Sequence, residues 1–263
     1  MWAAPVTVGR VPSQVLPLKL PAVLATVSLL TLLVGTASSG VGTQQQQSLQ
    51  QQKTTPAGDQ VVERFRESAE HGDALAQFTL GWMYAEGDGL PQDDAQAVGW
   101  YRKAAKQGNA KAKCHLGVMY EKGRGVPQDD GQAVAWYRMA AEQGDGTAQV
   151  YLGVMYEKGR GVPQGYAQAA AWYRKATEQG LADAQFYLGV AYDLGQGVPQ
   201  DDAQAAAWFR KAAEQGDARA QYNLGVHYGN GRGVPQEDEQ AAVWYRKGAE
   251  QYSGPGKLDS RVS

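Results

Sequence analysis

The sequence predicts an all-α protein, an α/α superhelical solenoid of five 36-residue helix-turn-helix repeats, and three observations carry that expectation. The first is an interval that never slips: Leu80 returns as Leu116, Leu152, Leu188 and Leu224, and Trp100 returns as Trp136, Trp172, Trp208 and Trp244. The second is the spacing inside each copy, where apolar residues recur every three or four positions, the period of one helix face. The third is a Gly-x-Gly-x-Pro segment, Gly87 to Pro91 in the first copy, that interrupts the helical pattern at the same phase each time. A fixed period of this length means units that cannot bury their apolar faces alone and share one core by stacking.

From the N-terminus, residues 1–37 hold no Asp or Glu, carry Arg10 and Lys19, and run apolar from Leu20 to Val34. That is the pattern of a signal peptide, with Gly35 and Ala37 as the small residues before a cut after Ala37. An uncleaved N-terminal anchor is the alternative reading of the same segment. Residues 38–60, which include the tract TQQQQSLQQQKTT, are expected to form a disordered Gln-rich linker. Residues 61–71 align with the end of a second repeat helix, with Arg64 in the Trp position and Phe65 in the Tyr position. They are expected to be a capping half-repeat with a polar outer face. The repeats follow at 72–107, 108–143, 144–179, 180–215 and 216–251, and residues 252–263 read as a flexible tail.

Within a repeat, Ala76, Leu80 and Tyr84 mark the buried face of a first helix, helix A. Asp73, Asn109, Asp145 and Asp217 precede it as N-caps, with Leu181 the exception. Ala97, Trp100, Tyr101 and Ala104 mark helix B, capped by Asp93 with Gln96 three residues on. Asp94 near its start, and Arg102 and Lys103 near its end, read as complements to the helix dipole. The recurring glycine inside helix A, Gly81 and its equivalents, predicts close helix approach against small Ala positions of the preceding repeat, since glycine there otherwise costs about 1 kcal/mol. The Trp series reads as core.

These residues resemble the Sel-one-like repeat family, a relative of the tetratricopeptide repeat. The resemblance rests on Ala76, Leu80, Gly81, Tyr84, the Gly87-x-Gly89-x-Pro91 turn, Ala97, Trp100, Tyr101, Ala104 and Gly108, and it covers residues 61–251. It implies a scaffold that assembles protein complexes, and in bacteria often an exported one serving envelope assembly, polysaccharide secretion, signalling or host contact. A cysteine-rich branch, linked with β-lactam binding, places a cysteine pair in each repeat; this chain has Cys114 alone.

Without the leader the net charge is −4, which offers no electrostatic footprint for nucleic acid. His71, His115 and His227 are far apart in the array, so no catalytic triad, shared metal or cofactor is expected. Cys114, where other copies hold Phe78, Val150, Phe186 and Tyr222, reads as a small buried hydrophobe. Comparison of the copies singles out one stripe of helix A, at offsets 0, 4, 8 and 11. It begins at Leu75, Lys111, Thr147, Asp183 and Arg219 and ends at Glu86, Lys122, Lys158, Leu194 and Asn230. By resemblance to tetratricopeptide arrays, helix A lines a concave face. The expected binding residues are therefore Thr79, Met83, His115, Met119, Tyr151, Met155, Tyr187, Asn223 and His227, in a groove for a protein or peptide.

The expected function is that of an exported, periplasmic or secreted, non-enzymatic adaptor that meets a membrane only through an uncleaved anchor. Two other readings are an envelope enzyme of the β-lactam-hydrolysing or peptidoglycan-active type, and a scaffold joined end to end through an uncapped C-terminus.

Overall fold

The computed structural model describes residues 56–252, eleven helices with no strand among them. The signal-peptide segment, most of the Gln-rich stretch and the C-terminal tail lie outside the described residues. Helix α1 (Pro56–Glu70) begins within the stretch expected to be linker, with Pro56 at its first position, where the missing N–H has no partner to lose. Five helix pairs follow: α2 (Ala74–Glu86) with α3 (Asp94–Lys106), α4 (Ala110–Lys122) with α5 (Asp130–Glu142), α6 (Gly146–Lys158) with α7 (Tyr166–Thr177), α8 (Ala182–Leu194) with α9 (Asp202–Glu214), and α10 (Ala218–Asn230) with α11 (Asp238–Tyr252). Helices pack chiefly on their neighbours in chain order, which makes the array an all-α solenoid.

Local chemistry sets the boundaries. Asp73, Asn109, Asp145 and Asp217 each accept a hydrogen bond from the backbone N–H three residues on. Leu181 gives α8 no side-chain cap, and Gly165 gives α7 none. The first-helix C-caps, Gly87, Gly123, Gly159, Gly195 and Gly231, all sit in the left-handed region.

The core differs from expectation in which aromatic ring it buries. Tyr101, Tyr137, Tyr173 and Phe209 are its largest fully buried side chains, whereas the Trp residues before them are half-buried. Three of these Trp rings, and that of Trp244, instead carry a lysine three residues on over their faces, with Nζ at 3.6 Å from the Trp100 ring and 4.0 Å from Trp208. Their shared burial is thus shared with solvated lysine stems.

The glycines of helix A make room for the buried ring of their own repeat, not for alanines of the preceding one. A Cβ at Gly153 would lie 2.4 Å from Tyr173 Cε1, and one at Gly117 would lie 2.5 Å from the Tyr137 ring. A different glycine mediates the approach between repeats. At Gly161 a Cβ would stand 2.2 Å from the carbonyl oxygen of Asp130, and Gly125, Gly197 and Gly233 repeat this contact, so each turn after the first lies directly on the first turn of the preceding helix B. Gln107 adds a tie within its repeat, donating to Gly72 O at 2.8 Å and to the buried Gln77 at 2.8 Å; Gln179 and Gln215 repeat the arrangement.

Candidate binding surface

The stripe singled out on helix A is not one surface. Offset 0 is exposed or half-buried, offset 4 is half-buried, and offset 8 is core. Eight residues at 3.6 per turn leave a side chain roughly 80° round the helix from where it began, whereas eleven bring it back to within about 20°. Met83, Met119, Met155 and His227 are accordingly buried between repeats, which corrects their assignment to an open groove. Offset 11, at Glu86, Lys122, Lys158, Leu194 and Asn230, returns to the exposed side.

Thr79, His115, Tyr151, Tyr187 and Asn223 remain as a half-buried row. Thr79 Oγ1 donates to the Leu75 carbonyl at 2.9 Å, within its own helix. The aromatic members lean on core rings beneath them. Tyr151 stacks on Tyr137 with centroids 5.1 Å apart, Tyr187 stacks on Tyr173 at 5.0 Å, and the His115 ring lies 5.1 Å from Tyr101. Burial among these rings pushes His115 down to about 4, and the charges of Lys111 and Arg124 act in the same direction. The outer edges of successive helices also touch. Arg219 pairs with Asp183, one repeat earlier, and its guanidinium lies 4.3 Å over Phe186 and 5.5 Å over Tyr187. Burial raises the Asp183 carboxyl, opposed by the Arg219 charge.

Repeats are also joined by a ladder of arginines from the turns. Arg160 Nη2 and Nε donate to Asp130 at 2.7 and 3.0 Å, and its Nη1 donates to Glu121 Oε1 at 2.8 Å. Arg124 makes the same bond to Asp94 and reaches the Ala85 carbonyl at 2.6 Å, because alanine stands where Glu121 does in the next copy. Arg232 joins Asp202 and Asp193. Burial works against ionisation of Asp193, but the hydrogen bond from His227 and the Arg232 charge outweigh it and hold the carboxyl below its usual range. His227 closes this cluster, its Nδ1 2.8 Å from the Arg232 carbonyl oxygen and its Nε2 3.2 Å from Asp193 Oδ1. Between α7 and α8 the ladder is broken: Tyr166 replaces the aspartate and Gln196 replaces the arginine.

Among the described residues, no three His, Cys, Asp or Glu side chains come together as metal ligands, and no helix is long and apolar enough to cross a membrane. Cys114 is buried, and burial pushes its thiol well up, with the nearby Asp145 charge adding to the shift.

The Sel1 repeat model matches five times, at residues 74–109, 110–145, 146–181, 182–217 and 218–253. The chain belongs to the Sel1 repeat family. Its units start at each helix A, two residues later than the sequence framing. Solved structures agree with the assignment. A protective antigen of uropathogenic Escherichia coli strains, with an SLR fold, is 38% identical over 81% of this chain at a TM-score of 0.69, and this chain spans 49% of that one. A Sel1 repeat protein from Oxalobacter formigenes is 34% identical over 75% of this chain and 85% of its own length, at 0.66. An immunity protein from Pseudomonas aeruginosa, 20% identical at 0.51, shares the fold, with 75% of each chain covered. No curated protein matches in sequence. Sel1 repeat proteins are generally protein-interaction scaffolds, and the Sel1 array here offers the row from Thr79 to Asn223 and the broken junction at Gln196 as its two irregular features.

Proposed function

We propose that this Sel1 array is an exported scaffold that binds a protein or peptide partner on the helix-A surface between Thr79 and Asn223. One observation carries the reading: the half-buried row varies from Thr79 to His115, Tyr151, Tyr187 and Asn223, while a nearly constant set of buried rings lies beneath. A varied surface on an unvarying backing is what one scaffold needs to acquire one partner. Aromatic side chains already held by a stack lose little freedom on binding, which makes Tyr151 and Tyr187 suitable anchors. Export rests on the leader pattern of residues 1–37, and likeness to a protein described as a protective antigen supports it.

The test places a photo-crosslinking residue at Lys111 or Thr147 on helix A and, separately, at the exposed Ala135, Ala171 or Ala207 on helix B. Capture of one protein from the helix-A positions alone is expected, and capture from helix B alone overturns the reading. N-terminal sequencing should find a mature chain beginning at Ser38; a membrane-bound form that keeps Met1 replaces cleavage with anchoring.

A further inference from the structure

The broken rung between α7 and α8 is a recess that lacks both the arginine and the helix-B aspartate of the intact rungs but keeps the second carboxylate, Glu157, that the rung before it has in Glu121. In the intact junction before it, Glu121 uses both oxygens: Oε2 accepts from Tyr137 at 2.7 Å and Oε1 accepts from Arg160. Glu157, one repeat on, accepts from Tyr173 at 2.7 Å through Oε2, and among the described residues its Oε1 has no donor and its charge no ion pair. Two substitutions open the space. Gln196 is shorter than the arginine of the other turns, and Ala191 stands where Met83, Met119, Met155 and His227 fill the other junctions.

The recess encloses about 200 Å3, open solvent at its mouth included, with room for about one water-sized group. Glu157, Tyr166, Tyr173, Ala191 and Gln196 line it. One terminal nitrogen of a guanidinium is of that size. Tyr166 is more than a third exposed at the rim, so its ring offers a π face to a planar cation. A guanidinium suits such a site better than an ammonium, since its fork meets a carboxylate and its plane stacks on an aromatic ring.

We propose that this junction receives an arginine side chain from the partner, inserted where the array's own arginine is missing, an assignment that rests on the protein-binding reading above. The partner's guanidinium meets Glu157 Oε1 as Arg160 meets Glu121, and its stem leaves past Tyr166.

The test uses N-acetylargininamide as the probe, with its neutral isostere N-acetylcitrullinamide as control, and follows the Ala169, Ala170 and Ala191 methyl resonances. Saturable shifts at millimolar argininamide are expected, with affinity about tenfold above that of citrullinamide and lost by about the same factor in Glu157→Gln. The double variant Tyr166→Asp, Gln196→Arg rebuilds the sequence of the neighbouring rungs. It should fold, melt higher than the parent and fail to bind the probe. Equal binding of the two probes, or binding unchanged in Glu157→Gln, overturns the site. Because the probe is small, this outcome is independent of whether a protein is captured on helix A. If argininamide binds but the rebuilt rung leaves affinity for the captured protein unchanged, the assignment to a partner's arginine is overturned while the protein-binding reading stands.

Discussion

At the scale of residues, a repeat protein carries its own controls. Tyr137 and Tyr173 give their hydroxyl protons to Glu121 and Glu157, but Tyr101 faces Ala85 at that position and its buried hydroxyl has no partner among the described residues. The fourth repeat meets the same place with Phe209. Tyr101→Phe is therefore expected to leave stability unchanged or raise it by about 1 kcal/mol, whereas Tyr137→Phe should lower it by about the same amount, as denaturant midpoints will show. His115 gives a second residue-level expectation. Its folded pKa of about 4 lies below the ordinary value, so its contribution is full above about pH 6.5 and is lost as the pH falls from there towards 4. The loss should be on the order of 2 kcal/mol, and His115→Tyr, which copies Tyr151, should flatten that part of the pH profile. An identical slope in both proteins would show that other groups govern acid sensitivity.

At the scale of elements, helices and turns were legible because their signals are local: a capping side chain, an apolar face, a glycine where the chain must turn left-handed. Depth was less legible. Trp172 and Tyr173 are adjacent and both recur, and only the packing of α6 against α7 decides which of them faces Gly153. Likewise, Met155 and Tyr151 look alike as members of one stripe until the neighbouring repeat covers one of them. The arginine ladder was missed because Arg124 and Asp94 already had complete local explanations, as a turn residue and as a helix-dipole partner. Yet the chain did hold a signal: the copy with Tyr166 in place of aspartate is followed by the turn with Gln196 in place of arginine. Helix α7 also lacks a capping side chain at Gly165, whose backbone is extended and so fits any residue. Gly165→Asp should raise stability by roughly a few tenths of a kcal/mol, since the only obstacle near its Cβ is the mobile end of Gln168. No gain in the thermal midpoint would mean that α7 is held by packing alone.

At the scale of the whole array, stability is a sum over repeats and their junctions. Tyr173, closed in on both sides, should cost about 3–5 kcal/mol when replaced by alanine. Half-buried Trp172 should cost about 1–2 kcal/mol, reversing the expectation from sequence. Tyr245 holds the same position in the last repeat but is 37% exposed, against 1% for Tyr173, because no described helix covers α11. Its replacement should therefore cost about as little as that of Trp172. Urea midpoints of the three alanine variants rank them directly, and a Tyr245 cost equal to that of Tyr173 would contradict an open final repeat.

The ladder also bears on how such a chain can change its length over generations. Each arginine reaches back 30 residues across a junction, so loss of one repeat creates a new pairing rather than simply removing an old one. Excision of residues 110–145 would bring Arg160 opposite Asp94 and the Ala85 carbonyl, the surroundings that Arg124 has now. Excision of residues 146–181 would instead bring Gln196 opposite Asp130 and Glu121, stranding two carboxylates. The first shortened protein should unfold at a clearly higher temperature than the second, although both lose 36 residues. Matching midpoints would mean that the units are interchangeable. Unequal ones would mean that recombination can add or drop copies only at certain seams, and that repeat order is inherited along with repeat number.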